Sequence, residues 1–390
     1  MKILHVNTND TGGAAIAAKR LHLLLLKHGI ESRMLFLKRS GKVKIPEVYY
    51  MEDLYGKIPF KLFDKLNTLY NRRFSFTKAS VYFNGPDSLF DISKHPAFAW
   101  ADVVHLHWVV KLLDWQSVFK HKDKKFVWTL HDMNPFTGGE HYKTGYNGEF
   151  GYASKRNIAV KKAAIQHKQI QIICPSEWLS GIARQSEVFK HQDVRTMRNP
   201  IDNSVFSLMD KVAMKQKHGL DPNKKNILFV AENPHDERKG FKYLLEALPS
   251  INKDEIEVSV IGKTDQIKDQ LSQINAHCFG TINDETTMVE LYNAADVFVI
   301  PSLEDNLPNT VSEALLCGTA VSGMRIGGIQ EMVSDGVNGY LSSSPEGLSE
   351  AINKTLSLNL SATDIRQNTL KELEEKELIG SFEKLYTSLT

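Results

Sequence analysis

The sequence predicts an α/β protein with two domains, each built around a parallel sheet. Short apolar runs typical of buried strands alternate with segments whose apolar residues recur at helical spacing, within residues 2–200 and again within residues 226–316. The chain has 390 residues, enough for two separate cores. Residues 1–200 hold 31 of the 48 basic and 17 of the 46 acidic side chains, so that half carries +14 and residues 201–390 carry −12. We therefore expect a domain boundary near residue 200 and different partners for the two halves.

Composition excludes several classes of protein. The chain is 42% hydrophobic and 24% charged without a low-complexity tract, so it is globular rather than disordered. Three separated cysteines (Cys174, Cys278 and Cys317) form no CxxC pair, which argues against a disulfide framework or a structural zinc site. We expect a strand directly at Lys2 and no signal peptide, and no apolar run approaches the roughly 20 residues of a membrane span. These observations predict a cytoplasmic protein.

The first predicted elements are a strand, a glycine loop and a helix. Lys2–Val6 is the strand, Gly12 and Gly13 lie in the loop, residues 14–28 form the helix, and residues 32–37 form the next strand. A glycine loop at a helix N-terminus is the usual position for a ligand in a parallel α/β sheet. The loop lacks the GxGxxG dinucleotide fingerprint, and a tight turn explains two glycines equally well.

Residues 57–78 combine basic and apolar side chains. The basic residues are Lys57, Lys61, Lys65, Arg72, Arg73 and Lys78, interleaved with Phe60, Leu62, Phe63, Leu66, Leu69, Tyr70, Phe74 and Phe76. Such a segment is either an amphipathic helix on an anionic membrane surface or a domain helix with a solvated face. No recognised nucleic-acid-binding motif accompanies the charge, so we do not expect nucleic acid as a partner.

Two later strands place histidines near a strand end. We predict strands at residues 103–108 and 126–130, and His131 follows the second directly. A doubly wound sheet binds ligands at the carboxyl ends of its strands, which makes His131 the best candidate among the histidines. His105 and His107 alternate with apolar residues and are expected to be structural or to line a cleft. No helical HxH or HExxH pattern marks a metal site.

The second half repeats the alternation of strands and helices. We predict strands at residues 226–231 and 257–261, helices at 241–248 and 285–294, and a loop at 279–280. Arg238 and Lys239 lie between a strand and a helix, where either cation could clamp a diphosphate. Solvated charges without a ligand are also common at such a position.

The next predicted strand, residues 296–300, leads through a polar loop into a helix that begins near Thr310. Unpaired amides and the helix dipole make such a junction an anion site. Asp305 and Glu313 flank it, and carboxylates accept hydrogen bonds from hydroxyls, so the predicted ligand is a phosphate attached to sugars. Two simpler interpretations stay open: Thr310 to Glu313 fits a capping box, and Asp305 fits an ordinary turn.

The pattern of the second half resembles the retaining glycosyltransferases of family 4. The matching stretches are Asp296 to Ser302, Asp305 to Ala314, Gly318 to Val321, Gly327 with Gly328, Glu331, and Asp335 to Gly339. The glycine loop after the first strand, His131, Lys239 and Gly280 occur in the same order as in the family. The segment EDNLPNTV is similar to the corresponding segment in enzymes of capsule and exopolysaccharide assembly. The resemblance covers nearly the whole chain.

This resemblance implies the GT-B fold, in which two Rossmann-like domains face each other across a cleft and the C-terminal helix returns to the first domain. Residues 1–200 would be the acceptor-side domain, residues 201–370 the nucleotide-sugar donor domain, and residues 371–390 the returning helix. These boundaries agree with the change in charge near residue 200.

The resemblance also implies roles for individual residues. The implied catalytic residues are His131, Lys239 and Asp305, and the implied donor-binding residues are Gly12, Gly13, Arg238, Leu307, Asn309, Thr310 and Glu313. Lys239 would bind the diphosphate, and His131 would touch the donor sugar near the reacting carbon. Asp305 would hold hydroxyls of that sugar and Glu313 those of the ribose. The two glycines would lie near the phosphates and the acceptor, and the loop amides would cap the distal phosphate.

The chain departs from the family pattern at three positions. Asp305 stands where the family has glutamate, with Glu304 beside it as an alternative. Pro308 stands where the family often has glycine, which removes one amide donor. Glu232 or Asn233 occupies the position of the family's diphosphate-binding arginine, and the arginine next to Lys239 is the candidate substitute.

We therefore expect a retaining, hexosyltransferase-type glycosyltransferase that moves a hexose-type sugar from a nucleotide-diphosphate donor to a hydroxyl of a growing surface glycan. Cations and helix amides would stabilise the leaving diphosphate, so neither a metal nor another cofactor is expected. The basic first half suggests a lipid-linked diphosphate oligosaccharide as acceptor and peripheral association with the inner face of an anionic membrane. Two alternatives stay open: a nucleotide-sugar epimerase, which needs no acceptor, and a catalytically weak nucleotide-sugar-binding protein, which turns over no donor.

Overall fold

The computed structural model describes residues 1–41, 43–72, 76–78, 81–148, 150–252, 254–272, 274, 276–358, 360–373 and 375–389. The chain divides into two compact units, of which unit 1 is Met1–Pro200 with Glu375–Thr390 and unit 2 is Ile201–Glu374. Each contains a parallel sheet with helices, which confirms the predicted fold class. Arg73 and Phe74 of the predicted basic segment lie outside the described residues.

Unit 1 is organised around a seven-stranded parallel sheet. The strands of this unit are β1 (Lys2–Val6), β2 (Glu31–Phe36), β3 (Val48–Tyr50), β4 (Phe76–Lys78), β5 (Val81–Phe83), β6 (Val103–Leu106), β7 (Lys125–Thr129), β8 (Ile170–Cys174) and β9 (Asp193–Thr196). The sheet has the order β3-β2-β1-β6-β7-β8-β9, and β4 and β5 form a separate antiparallel pair. The chain order reverses between β1 and β6, so the residues that follow β1, β6 and β7 share the edge where ligands bind in such sheets.

Helices cover the sheet of unit 1. They are α1 (Gly13–Lys27), α2 (Lys57–Asn71), α3 (Pro96–Trp100), α4 (Trp115–Phe119), α5 (Gly151–Ile165) and α6 (Glu177–Gln185). The helix α1 begins immediately after Gly12, whose φ of 91° is accessible to glycine at little cost, and it buries Ala15, Ala18, Leu21 and Leu25 at helical spacing. The side chain of Ser176 caps α6 by accepting a hydrogen bond from the amide of Leu179.

Unit 2 contains a six-stranded parallel sheet. Its strands are β10 (Lys225–Val230), β11 (Ile256–Ile261), β12 (Ala276–Gly280), β13 (Val297–Ile300), β14 (Ala320–Met324) and β15 (Gly339–Ser342). Its helices are α7 (Lys211–Lys217), α8 (Phe241–Ala247), α9 (Lys268–Ser272), α10 (Glu285–Ala294), α11 (Asn309–Leu316), α12 (Leu348–Leu356) and α13 (Ala362–Glu372). The strand order is β12-β11-β10-β13-β14-β15, with one apolar cluster on each face.

One predicted element of unit 2 is wrong. Residues 279–280, expected to be a loop, form the end of the edge strand β12, which pairs in parallel with β11. The strand contains His277, the exposed Cys278 and a terminal glycine, and no residue in it is fully buried. An edge strand contacts only one neighbour and therefore lacks the apolar run that marks a central strand.

The helix α14 (Glu375–Thr387) completes unit 1 rather than unit 2. Its buried residues Ile379, Phe382, Leu385 and Tyr386 pack with apolar side chains of β1, α1 and β6. The returning segment starts at residue 375 instead of the expected 371 because α13 continues to Glu372. No helix among the described residues has the length and apolar character needed to cross a bilayer.

Candidate active site

In unit 2, two cations meet one buried carboxylate at the ends of β10 and β13. Asp305 is 7% exposed, and its Oδ2 atom accepts a hydrogen bond from Lys239 Nζ at 2.6 Å. Arg238 Nη1 lies 3.6 Å from the same oxygen. Burial alone would raise the pKa of Asp305, but Lys239 and Arg238 outweigh it and hold the pKa below its usual value. Asp305 is thus a carboxylate at neutral pH that holds the two cations in place.

Backbone contacts explain why residues 66 positions apart meet. Gly240 follows a short 3₁₀ turn at Glu237–Lys239, has φ 68°, and approaches the loop after β13 so closely that a Cβ atom would lie 1.9 Å from the carbonyl oxygen of Pro301. The carbonyl of Arg238 accepts from the amide of Leu303 at 2.8 Å. The guanidinium of Arg238 donates to the carbonyl of Glu304, also at 2.8 Å. The two loops are therefore held side by side, and only glycine fits at position 240.

The helix α11 begins beside this cluster. Its N-cap is Pro308, which has no side-chain cap hydrogen bond, and Thr310 lies inside the helix. The capping box, which was the simpler interpretation of Glu313, is therefore wrong. Glu313 is 6% exposed and accepts a hydrogen bond from the Tyr292 hydroxyl at 2.9 Å. Leu307, Asn309 and Thr310 lie at this helix N-terminus, and binding of a phosphate by their amides stays a prediction.

Glu232, one of the two candidates for the position of the family's arginine, forms a solvated ion pair. Glu232 Oε1 lies 3.1 Å from Lys263 Nζ, and the two side chains are 69% and 61% exposed. Such an exposed pair adds little stability, and its cation is paired with Glu232 rather than with Asp305. Arg238 is the arginine that the fold brings to the cluster, and its role as the substitute stays a prediction.

In unit 1, the predicted glycines and His131 lie after two strands of the same sheet. Gly12 is the N-cap of α1 and Gly13 its first residue, with no atom within 4 Å of the place where a Cβ on Gly13 would lie. His131 comes two residues after β7 and is partly exposed. The open space at Gly13 is compatible with close approach of a ligand to the backbone.

His131 is the partly exposed end of a row of histidines, which we call the histidine row: His5, His107 and His131. Its Nε2 atom lies 3.2 Å from His107 Nδ1, and His107 Nε2 lies 3.0 Å from His5 Nδ1. His105 stacks beside His107 but bonds elsewhere, with Nδ1 2.7 Å from the Tyr386 hydroxyl and Nε2 2.8 Å from Thr129 Oγ1.

Burial keeps these histidines neutral. It lowers the pKa of His131 to about 4 and that of His105 to about 3, and it holds the pKa values of His5 and His107 well below 6.5. His105 and His107 were expected to be structural or to line a cleft, and His107 does line the pocket described below. Nitrogen atoms of His5, His105 and His107 lie within 4.8 Å of one another, a spacing at which imidazoles could hold a metal ion. The expectation that the protein uses no metal stays a prediction.

An aromatic pocket lies beside the histidine row. It is lined by His107, Trp108, Trp115, Trp128, His131 and Asn134, among others. Asp132 fixes the position of Trp108 in the pocket wall, because Asp132 Oδ2 accepts a hydrogen bond from Trp108 Nε1 at 2.9 Å. The same oxygen lies 2.6 Å from His141 Nδ1. Burial would raise the pKa of Asp132, but His141 and the hydrogen bonds lower it below the usual value. The pocket combines aromatic surface with polar edges, as sites for uncharged polar ligands do.

Sequence reasoning missed three residues that shape this edge of unit 1. His5 was treated only as part of a strand, although a polar residue inside an apolar run was a usable signal. Asn84 lies 2.9 Å from His141 Nε2, and Lys161 Nζ donates to the carbonyls of Asn134 and Thr137. Burial lowers the pKa of Lys161 to about 7. Nothing in the local sequence distinguishes these two from surface residues.

The predicted residues therefore fall into two groups, one in each unit. Lys239, Arg238 and Asp305 touch, and α11 with Glu313 follows directly. Gly12, Gly13 and His131 belong to the other unit.

Comparison with known proteins agrees with this architecture. Residues 224–357 match the model of the family described as Glycosyl transferases group 1. An uncharacterized glycosyltransferase of Methanocaldococcus jannaschii, MJ1607, is 25% identical over 70% of this chain and 71% of its own length. An uncharacterized 41.2 kDa protein in the cps region of Klebsiella pneumoniae is 21% identical over 62% of this chain and 64% of its own.

The likeness extends to solved structures. Anabaena Alr3699/HepE, solved in complex with UDP-glucose, has a TM-score of 0.66 and 15% identity, with 100% of both chains covered. At 15% identity the structural match supports the fold alone. The family match in unit 2 and the aligned relatives support the class of protein. Residues 224–357 of unit 2 accordingly match the group 1 glycosyltransferases, and the two units have the GT-B fold of the solved relatives.

Proposed function

We propose that the protein transfers a hexose-type sugar from a nucleotide-diphosphate donor to a hydroxyl of a growing, lipid-linked surface glycan, with retention of anomeric configuration. The observation that carries the proposal is the cluster of Lys239, Arg238 and the buried Asp305 next to the N-terminus of α11. Two cations beside a helix N-terminus favour a diphosphate, and a carboxylate among them favours the hydroxyls of a sugar. The UDP-glucose bound by Anabaena HepE supports a donor of this class.

The unit 2 residues would act on the leaving group. Lys239 and Arg238 would bind the diphosphate and stabilise its charge as the glycosidic bond breaks, and the amides of α11 would cap the distal phosphate. The carboxylate of Asp305 fixes the position of Lys239 Nζ before any donor arrives, which reduces the reorganisation needed during the reaction. Glu313 would accept hydrogen bonds from the ribose hydroxyls.

The unit 1 residues would act on the sugar. His131 and the aromatic pocket offer neutral side chains, which suit hydroxyl groups better than they suit phosphates. Retention would follow if the acceptor attacks from the side of the departing diphosphate, with a phosphate oxygen taking the acceptor proton. This route uses neither a protein nucleophile nor a metal, because the cations of unit 2 neutralise the leaving group.

The acceptor proposal rests on charge and on the surface of α2. Ile58, Leu62, Leu66 and Leu69 are 83%, 62%, 46% and 48% exposed at a spacing of three or four residues, and Lys61 and Lys65 are exposed beside them. An apolar stripe flanked by lysines matches helices that lie in the surface of an anionic membrane. With a net +14 over residues 1–200, this helix would hold the protein near a lipid-linked acceptor. The cps-region relative supports a capsule or related glycan as product.

Donor titration tests the core of the proposal. Melting temperature is measured with a panel of UDP- and GDP-sugars and the free diphosphates, for the wild type and for Lys239→Met. Stabilisation by one nucleotide series in the wild type, lost in Lys239→Met, is the expected result. Lys263→Met is the matched control, because Lys263 also forms an ion pair in unit 2, but with Glu232 rather than with Asp305. No stabilisation by any nucleotide would favour the binding-protein alternative with a different ligand.

Two further assays separate the remaining alternatives. Sugar release that requires a glycan acceptor supports the transferase, whereas conversion of the donor alone supports the epimerase. Flotation with vesicles of phosphatidylglycerol or phosphatidylcholine tests α2. We expect binding to the anionic vesicles only, weakened by salt and lost in Leu62→Glu, while Val212→Glu, at an exposed apolar position in unit 2, keeps it. Binding that ignores salt and lipid charge would refute the membrane part of the proposal.

A further inference from the structure

The histidine row crosses three neighbouring strands of unit 1 and ends at the pocket. His5 lies on β1 in register with His105 on β6, His107 follows two positions later on β6, and His131 comes after β7. His5 is completely buried, His107 is 3% exposed, and His131 lines the pocket. The row therefore connects the interior of the sheet to the place where a ligand would lie.

Each contact in the row joins two nitrogen atoms and needs one proton. A neutral imidazole carries a single N–H, and burial keeps all three rings neutral. If His5 donates from Nδ1, His107 accepts at Nε2 and must donate from Nδ1, so His131 accepts at Nε2 and carries its own proton on Nδ1. If the direction is reversed, His131 donates from Nε2 and the proton of His5 lies on Nε2. The three tautomers are therefore coupled.

The buried end of the row decides between the two directions. His5 Nε2 is a buried atom with no hydrogen-bond partner. In the reversed direction this atom would be an N–H donor without an acceptor, which is rare in protein interiors. In the forward direction it is only an unshared lone pair, a less costly defect.

We propose that His5 and His107 are positioning residues that hold His131 in the Nδ1–H tautomer. In this tautomer Nδ1 of His131 can act toward an oxygen atom of a ligand only as a hydrogen-bond donor and not as a proton acceptor. This makes it a neutral donor toward a sugar hydroxyl or phosphate oxygen rather than a general base. The tautomer follows from the row itself, and only the identity of the ligand rests on the proposed function.

Nuclear magnetic resonance of protein labelled with ¹⁵N-histidine tests the tautomers directly. Long-range correlations between ring protons and nitrogens distinguish Nδ1–H from Nε2–H rings. We expect His5, His107 and His131 all to carry the proton on Nδ1 at pH 7.5 in the full chain without ligand. This readout does not depend on turnover, so it stands or falls separately from the proposed transferase.

Two substitutions of His107 separate its two nitrogen atoms. In His107→Asn the side-chain amide takes the place of Nδ1 and keeps a donor toward His131, whereas in His107→Gln the amide takes the place of Nε2 and loses that donor. We expect His131 to keep its tautomer in the first variant and to populate both tautomers in the second. In the donor-turnover assay, His107→Gln should lower kcat by about tenfold with little change in KM, and His107→Asn should restore most of it.

Tyr386→Phe is the matched control. It removes a buried hydrogen bond to His105, next to the row but outside it, and should leave the His131 tautomer and the kcat unchanged. An Nε2–H signal for His131 in the wild type, or identical His131 spectra in His107→Asn and His107→Gln, would overturn the proposal. So would stoichiometric binding of Zn²⁺ by the wild type that His5→Gln abolishes, because the row would then be a metal centre.

Discussion

Each unit has its own parallel sheet flanked by helices, but the side chains at the ends of the strands differ in charge between the two units. The row in unit 1 consists of neutral imidazoles next to tryptophans, whereas unit 2 pairs a buried carboxylate with two cations. A neutral edge suits hydroxyls, and a charged edge suits a diphosphate. The same architecture thus supplies two kinds of binding surface, and the residues that follow the strands decide which one.

The largest expected difference between the units is their response to acid. The folded-state pKa values of His5, His105 and His107 lie below 6.5, so the unfolded chain binds more protons below that pH and unit 1 loses stability as the pH falls from 6.5 to about 3, the pKa of His105. Each histidine costs about 1.4 kcal/mol per pH unit in this window. In unit 2 the lowered pKa values of Asp296 and Asp305 confer stability that is lost only as the pH falls below 3.8.

Tryptophan fluorescence can follow this difference, because all five tryptophans lie within residues 100–178 of unit 1. Urea unfolding by fluorescence at pH 7, 6, 5 and 4 is compared with hydrogen exchange of β10 and β13. Replacing His105 with glutamine should reduce the pH slope, and the exposed His191→Gln serves as control. Equal acid sensitivity in both units would contradict the expectation that unit 1 loses stability at a higher pH than unit 2.

Breaking the charged cluster should give the next largest effect. Lys239→Met leaves Asp305 buried with only the more distant Arg238, which should cost unit 2 about 2 kcal/mol because Lys239 is itself partly exposed. Adding Asp305→Asn to that variant should recover most of the stability but not nucleotide affinity. Urea unfolding by circular dichroism and calorimetric titration with UDP and GDP measure the two quantities. If the double variant is no more stable than Lys239→Met, the buried charge is not the cause.

Glu313 offers a smaller and sharper test, because its stability and binding roles can be separated. Tyr292→Phe removes the hydroxyl that donates to Glu313 and should cost about 1.5 kcal/mol of folding free energy. Glu313→Gln should weaken nucleotide binding about tenfold through loss of charge-assisted hydrogen bonds to the ribose. The wild type should prefer UDP to 2′-deoxy-UDP, and the variant should not. An unchanged preference would remove the ribose role from Glu313.

The smallest expected effect concerns the helix α14. Tyr386→Phe should lower the stability of unit 1 by about 1 kcal/mol by removing the hydrogen bond to His105. Unit 2 should keep its hydrogen-exchange protection. A loss of protection in β10 or β13 would mean that α14 stabilises more than the unit in which it packs.

Local patterns made much of the fold predictable. Central strands such as β1, β8 and β13 are apolar runs bounded by turn residues, so their positions depend little on distant parts of the chain. Edge strands lack that run, which is why residues 279–280 were assigned to a loop. The capping-box alternative failed for a different reason: the four-residue pattern is present, but the helix starts two residues earlier than the pattern requires.

Site residues could be predicted where they lie in the loop directly after a strand. They could not be predicted where their contact depends on how two distant strands pair. Lys239 and Asp305 could be named from their loops, although their direct contact depends on the approach of Gly240 to Pro301. The link between His5 and His107 spans 102 positions and exists because β1 and β6 pair in one register. Pairing between strands so far apart cannot be read from either segment alone.

The return of α14 to unit 1 has a consequence for synthesis on the ribosome. The side chains of Ile3, Leu25 and Val103 find their cover in a segment that is translated only after the whole of unit 2. Until then the nascent unit 1 exposes an apolar face, while unit 2, made from one continuous stretch, can already fold. We therefore expect unit 1 to be the last part of the polypeptide to resist protease during translation, although it is the first to be made.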